Sequence, residues 1–137
     1  MWWIYALLSA LFAALTAVFA KVGVKDVDTN LATAIRTVVI LILAWSIAFL
    51  KGGTSSILML TKQNLIFLTL SGIATGLSWI FYFKALQLGK LSQVAPIDKL
   101  SVVLVMIFSV IFLGEALTLK TAIGAICIVV GTVIIIL

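Results

Sequence analysis

Hydrophobic residues in this chain run in unbroken blocks of about twenty, separated by short polar links. A helix crossing the hydrocarbon core of a bilayer needs roughly 20 apolar residues. The blocks near 2–22, 31–50, 65–88, 94–113 and 119–137 each meet that length. Their continuity predicts helices and excludes a closed barrel, whose strands alternate. The links carry start and stop signals. Trp2-Trp3 and Lys21 mark the two interfaces of the first block. Thr29 or Asn30 is placed to cap the second helix, and Lys51-Gly52-Gly53 ends it. Ile57 to Leu60 predict a short piece lying on the membrane surface. Gly89 is expected to cap the third helix at its C-terminus. Pro96 suits the first turn of the fourth helix, although deeper in it would kink it, and Thr118 suits the cap of the fifth. The first block lacks the basic start of a signal peptide and is expected to be retained as a helix. No link has room for an extramembrane domain.

Composition supports that pattern: of 137 residues, 65% are hydrophobic and 9% charged. A soluble domain of this length would carry far more charge. The expectation is an all-α integral membrane protein, a single transmembrane domain over 1–137. The net charge of +5 comes from basic residues scattered along the chain, without the cluster that nucleic acid requires. The expected partner is therefore the bilayer and not nucleic acid. Cys127 is the only cysteine, so no internal disulfide forms, and with no histidine a His/Cys metal site is excluded. No metal or cofactor is expected. No Ser/His pair or paired carboxylates suggest an enzyme.

In lipid, polar stripes and small residues show which helix faces turn inward. Ser71, Thr75, Ser78 and Tyr82 recur at helical spacing on the third block, with Gly72 and Gly76 as a GxxxG pair beside them and Trp79 and Phe83 following. Weaker stripes are Tyr5, Ser9 and Thr16 on the first block, Thr33, Arg36 and Thr37 on the second, and Asp98, Ser101 and Ser109 on the fourth. Such hydroxyls either line a solute path or simply bond the carbonyl one turn back. Gly124 and Gly131, two turns apart on the fifth block, suit close helix packing or dimerisation.

Arg36, Lys84, Asp98 and Lys99 fall inside the predicted spans. Arg36 and Asp98 lie on the order of 8 Å below their helix starts at about 1.5 Å per residue. Lys and Arg can snorkel outward, whereas a short aspartate cannot. Asp98 should therefore be paired, protonated or open to water. With five alternating spans, Arg36, Lys84 and Asp98 share one half of the membrane, so Arg36 or Lys84 could counter Asp98. Two readings stay open: a static pair fixing helix packing, or a coupling and substrate site in which a basic side chain clamps an anion. Glu115 reads as an interface residue.

The stretch Gly72 through Gly89 (GIATGLSWIFYFKALQLG) resembles the third helix of EamA-type members of the drug/metabolite transporter superfamily. Val94 through Ser101 (VAPIDKLS), Phe112 through Glu115 (FLGE), Leu117-Thr118 and the run from Ile123-Gly124 to Gly131 are similar to the segments that follow it. The resemblance covers nearly the whole chain. It implies one half of an inverted-repeat transporter fold, since most members carry two such units and export metabolites, amino acids or drugs. In the related small multidrug resistance proteins a glutamate in the first helix serves cation export; Ala13 stands at that place here, so the resemblance does not extend to that chemistry. An odd number of spans lets two copies in opposite orientation complete the repeat. Link lysines number four on one side (Lys21, Lys25, Lys84, Lys90) and three on the other (Lys51, Lys62, Lys120). Adding Arg36 and Lys99 leans the balance towards an external N-terminus. The expectation is a secondary transporter of small metabolites in the cell membrane, acting as an antiparallel homodimer. The alternative is a non-transporting scaffold or accessory subunit.

Overall fold

The computed structural model describes residues 1–137, apart from the side chains of Thr54 and Ser56. The chain is all-helical, with α1 (Trp2–Gly23), α2 (Thr29–Leu50), a 3₁₀ segment (Gly53–Met59), α3 (Lys62–Leu88), α4 (Leu91–Asp98), α5 (Ser101–Leu113) and α6 (Leu119–Ile136). Five stretches are long and apolar enough to cross a membrane, with α4 and α5 together forming the fourth, Leu91–Leu113. A 22-residue span such as α1 or α2 is about 33 Å long at 1.5 Å per residue, close to the thickness of the hydrocarbon core.

Local chemistry sets the helix ends. Asp28, rather than Thr29 or Asn30, caps α2: its carboxylate accepts from the N–H groups of Asn30 and Leu31 at 2.9 and 3.0 Å. A charged acceptor suits the positive end of a helix better than a hydroxyl does, and the helix starts two residues earlier than the apolar run suggests. Gly52, in the left-handed region at φ 69°, leads out of α2 into the 3₁₀ segment. Thr118 caps α6 by accepting from the N–H of Thr121 at 3.2 Å. α3 ends at Leu88, directly before Gly89, where the cap was expected. The chain then passes at once through an extended Lys90 into α4.

The fourth span departs most from a straight helix. It begins at Leu91, so Pro96 falls inside α4 and not in the first turn. Proline has no N–H for the carbonyl four residues back and crowds the preceding turn. Two residues after Asp98 the ladder tightens: Leu100 N–H bonds to Ile97 and Val102 N–H to Lys99, each at 3.0 Å and three residues back. The span breaks there into α4 and α5.

The chain forms two compact units, Phe19–Gln87 and Met1–Val18 with Leu88–Leu137. In the first, Val24, Phe83 and Leu86 are buried along with Thr33, and the 3₁₀ segment returns against α2 at Ala48. In the second, Val94 and Thr132 are buried, and α6 packs on α4 and α5. Most large apolar side chains are exposed, as expected of helices facing lipid or another chain.

Candidate functional site

In the unit Phe19–Gln87, α2 and α3 place Arg36 directly over Trp79, the guanidinium carbon lying 3.3 Å from the ring centroid. Arg36 is seven residues into α2 and Trp79 nine residues before the end of α3. At about 1.5 Å per residue both sit on the order of 10–14 Å inside their spans. Tyr82 and Phe83 meet Trp79 edge-to-face, with centroids at 5.5 and 5.3 Å. Such edge-to-face packing and a cation over the indole are both favoured by the ring quadrupole. Such a stack is worth roughly 0.5–2 kcal/mol, less than the cost of an unpaired charge deep in lipid. Among the described residues, Arg36 makes no hydrogen bond or ion pair. A half-buried cation with unused donors is the strongest chemical feature of this unit.

Nearer the membrane edge, long polar side chains tie the end of α3 to the turn after α1. Gln87 donates from Nε2 to the carbonyls of Val24 and Val27 at 2.8 and 2.6 Å. Lys21 donates to the Leu86 carbonyl. These bonds take up a carbonyl in the last turn of α3 and two in the turn beyond α1, where Val24 also accepts from Val27 N–H at 3.4 Å. Asp26 occupies the left-handed region at φ 59° in the same turn. A cleft of about 550 Å³ opens here, lined by Lys21, Lys25, Asp26, Leu86 and Gln87 among others.

The hydroxyl stripe of α3 does not close on itself. Ser71, Thr75 and Ser78 are exposed and Tyr82 is half-buried. Thr75 bonds the Ser71 carbonyl at 2.8 Å, and Thr16 of α1 bonds the Phe12 carbonyl at 2.7 Å. Back-bonding uses their protons and leaves their oxygens as acceptors. Tyr5 and Ser9 are exposed on the first part of α1. A Cβ added at Gly72, Gly76, Gly124 or Gly131 would meet nothing within 4 Å, so these backbones are open to the approach of another molecule.

In the unit of Met1–Val18 with Leu88–Leu137, the break in the fourth span gathers polar groups. Asp98 pairs with its neighbour Lys99 at 3.5 Å, with 37% of the Asp98 side chain and 60% of that of Lys99 exposed. Within its unit Asp98 has Lys99 as its ion-pair partner; in the other unit Arg36 rests on Trp79 and Lys84 is exposed. Adjacent residues do not face each other on a regular helix. The turn at Lys99 and Leu100 brings them together. The Pro96 carbonyl, passed over by Leu100 N–H, accepts from the Thr132 hydroxyl of α6 at 3.4 Å.

Compared with known proteins, the chain matches the EamA-like transporter family over residues 1–137. The chain belongs to that family. It is also 50% identical over 133 residues to an uncharacterized transporter in the cobO 3′ region of Sinorhizobium sp., covering 97% of this chain and 94% of the relative. No solved structure matches. The protein is a multi-pass membrane transporter, and its relative is of nearly the same single-unit length.

Within this EamA-like transporter, the Leu113-Gly114-Glu115 motif has a local structural role. Gly114 at φ 67° ends α5, and Glu115 N–H reaches the Ser109 carbonyl, six residues back, at 3.2 Å. The left-handed turn folds the N–H groups of Gly114 and Glu115 back onto that one carbonyl, a conformation glycine takes without a Cβ clash. Sequence reasoning singled out Arg36 and Trp79 separately, and the structure brings them together. It missed Gln87 and took Lys21 only as an interface marker. A glutamine in the last turn of α3, two residues before a glycine, was the available signal.

Proposed function

We propose that this EamA-like transporter exports small metabolites such as amino acids or organic acids across the plasma or inner membrane, coupled to protons, as an antiparallel homodimer working by alternating access. The observation that carries the reading is the open α3 face: three hydroxyls, Ser71, Thr75 and Ser78, lie exposed at membrane depth. Polar groups within a bilayer face other protein or a water-filled path. A second copy laid across this face turns the stripe into the wall of such a path. The open backbone at Gly124 and Gly131 suits close approach by another helix. The nearly even lysine balance between the two sides suits insertion in both orientations.

Asp98 is the coupling candidate, because it is a carboxylate at a break in a span, beside carbonyls released from the helical ladder. Back-bonding of Thr16 and Thr75 favours a second reading, in which the hydroxyls serve the helices alone and the chain is a scaffold or accessory subunit. Flux separates the two. Purified protein in liposomes, screened for proton-driven movement of amino acids, organic acids and cations, is expected to carry the first two groups. A reporter fused after Leu137 is expected on both sides of the membrane; its appearance on one side alone excludes the antiparallel homodimer.

A further inference from the structure

The most unusual charge in the chain is Arg36, a guanidinium inside a membrane span with no acidic partner among the described residues. We propose that Arg36, held flat on Trp79, binds the carboxylate of the transported solute. The assignment rests on the reading of the chain as a carrier of organic acids or amino acids.

The geometry comes from one distance. With the guanidinium carbon 3.3 Å from the ring centroid and C–N bonds of about 1.33 Å, an edge-on group would drive a nitrogen to about 2 Å from the ring. No such contact is tolerated, so the guanidinium lies parallel to the indole. All five N–H bonds then radiate sideways in a plane above the ring, and none points into it. A ligand approaching along that plane meets a fork of two parallel donors, which matches the two oxygens of a carboxylate. The indole fixes the fork before the ligand arrives, so less freedom is lost on binding.

Charge selects among anions. Arg36 and a monocarboxylate neutralise each other, leaving a pair that the membrane interior tolerates. Phosphate carries more than one negative charge near neutral pH, so a single guanidinium leaves part of that charge unbalanced. Tyr82 and Phe83, both in ring contact with Trp79, extend the aromatic surface of the stack for the organic part of the solute. A lipid headgroup would offer phosphate oxygens instead, and its contribution is separated by keeping the lipid constant and zwitterionic.

The test uses the full chain in phosphatidylcholine nanodiscs, titrated by calorimetry with acetate, lactate and benzoate, their neutral amides, and inorganic phosphate. Saturable binding of at least one carboxylate, with its amide and phosphate at least tenfold weaker, is expected. Arg36→Gln should weaken carboxylate binding at least tenfold. Arg36→Lys, which keeps the charge but loses the fork, should fall between, and Lys120→Gln should bind as the parent does. Helical circular dichroism and elution volume check that each variant is folded. Equal binding by the parent and Arg36→Gln, equal binding of acid and amide, or no carboxylate binding at all overturns the assignment. Carboxylate binding lost in Arg36→Gln, together with no flux of any solute in liposomes, upholds the Arg36 site while counting against the transporter of organic acids.

Discussion

The two units solve the same problem in different ways. In Phe19–Gln87, polar groups are satisfied by long side chains on continuous helices: Gln87 and Lys21 reach orphan carbonyls, and Arg36 rests on an indole. In the unit of Met1–Val18 with Leu88–Leu137, the helix itself gives way, with Pro96 and the 99–100 turn freeing backbone groups beside Asp98. Continuous helices can hold a binding group at fixed geometry, because every backbone bond is internal. A broken one exchanges that rigidity for accessible carbonyls and a place where the backbone bends with little resistance. On the proposed function, solute recognition belongs to the Arg36–Trp79 stack, and ion coupling with movement belongs to the break at Asp98.

Substitutions can break or sharpen that division. The largest effect is expected at the break: Asp98→Asn should abolish proton-driven flux in liposomes while leaving carboxylate binding in nanodiscs within about threefold of the parent, since Asn keeps the shape and loses the titrating group. Loss of binding alongside flux would merge the two roles. A smaller effect is expected at the tether. Gln87→Leu removes the Nε2 donor from both carbonyls, leaving Val24 only the 3.4 Å bond from Val27 N–H, at a cost of roughly 1–3 kcal/mol. Thermal unfolding in detergent should show it as a lower midpoint, and an unchanged midpoint would mean that water replaces the glutamine. The smallest effect belongs to Thr132→Val, which removes one long hydrogen bond to Pro96. Polar contacts between membrane helices average about 0.6 kcal/mol, so its midpoint should barely move. A large drop would show that α6 clamps the break.

What could be read from the sequence follows from what lipid forces on a chain. Five spans were legible because each must be about twenty apolar residues long, and a bilayer leaves no other architecture for continuous runs. Family resemblance was legible in FLGE and the segment around Trp79 because those residues meet backbone demands such as the left-handed Gly114. Pairings were not. Arg36 and Trp79 lie 43 positions apart, and their stacking depends on how α2 crosses α3, which hydropathy does not encode. The Asp98–Lys99 pair was hidden because neighbours on a regular helix do not face each other; only the break after Asp98 brings Lys99 within reach. The tether at Gln87 was invisible for a related reason: it bonds to carbonyls, and every residue has one.

The central claim is that the α3 hydroxyl face lines a solute path. Liposome flux should therefore be measured for the parent and for a Ser71→Leu, Thr75→Leu, Ser78→Leu variant, which remains apolar, helical and able to insert. The account predicts that the variant reaches the membrane and keeps its elution volume, but that its flux falls to that of protein-free vesicles. Flux equal to the parent's would contradict the account.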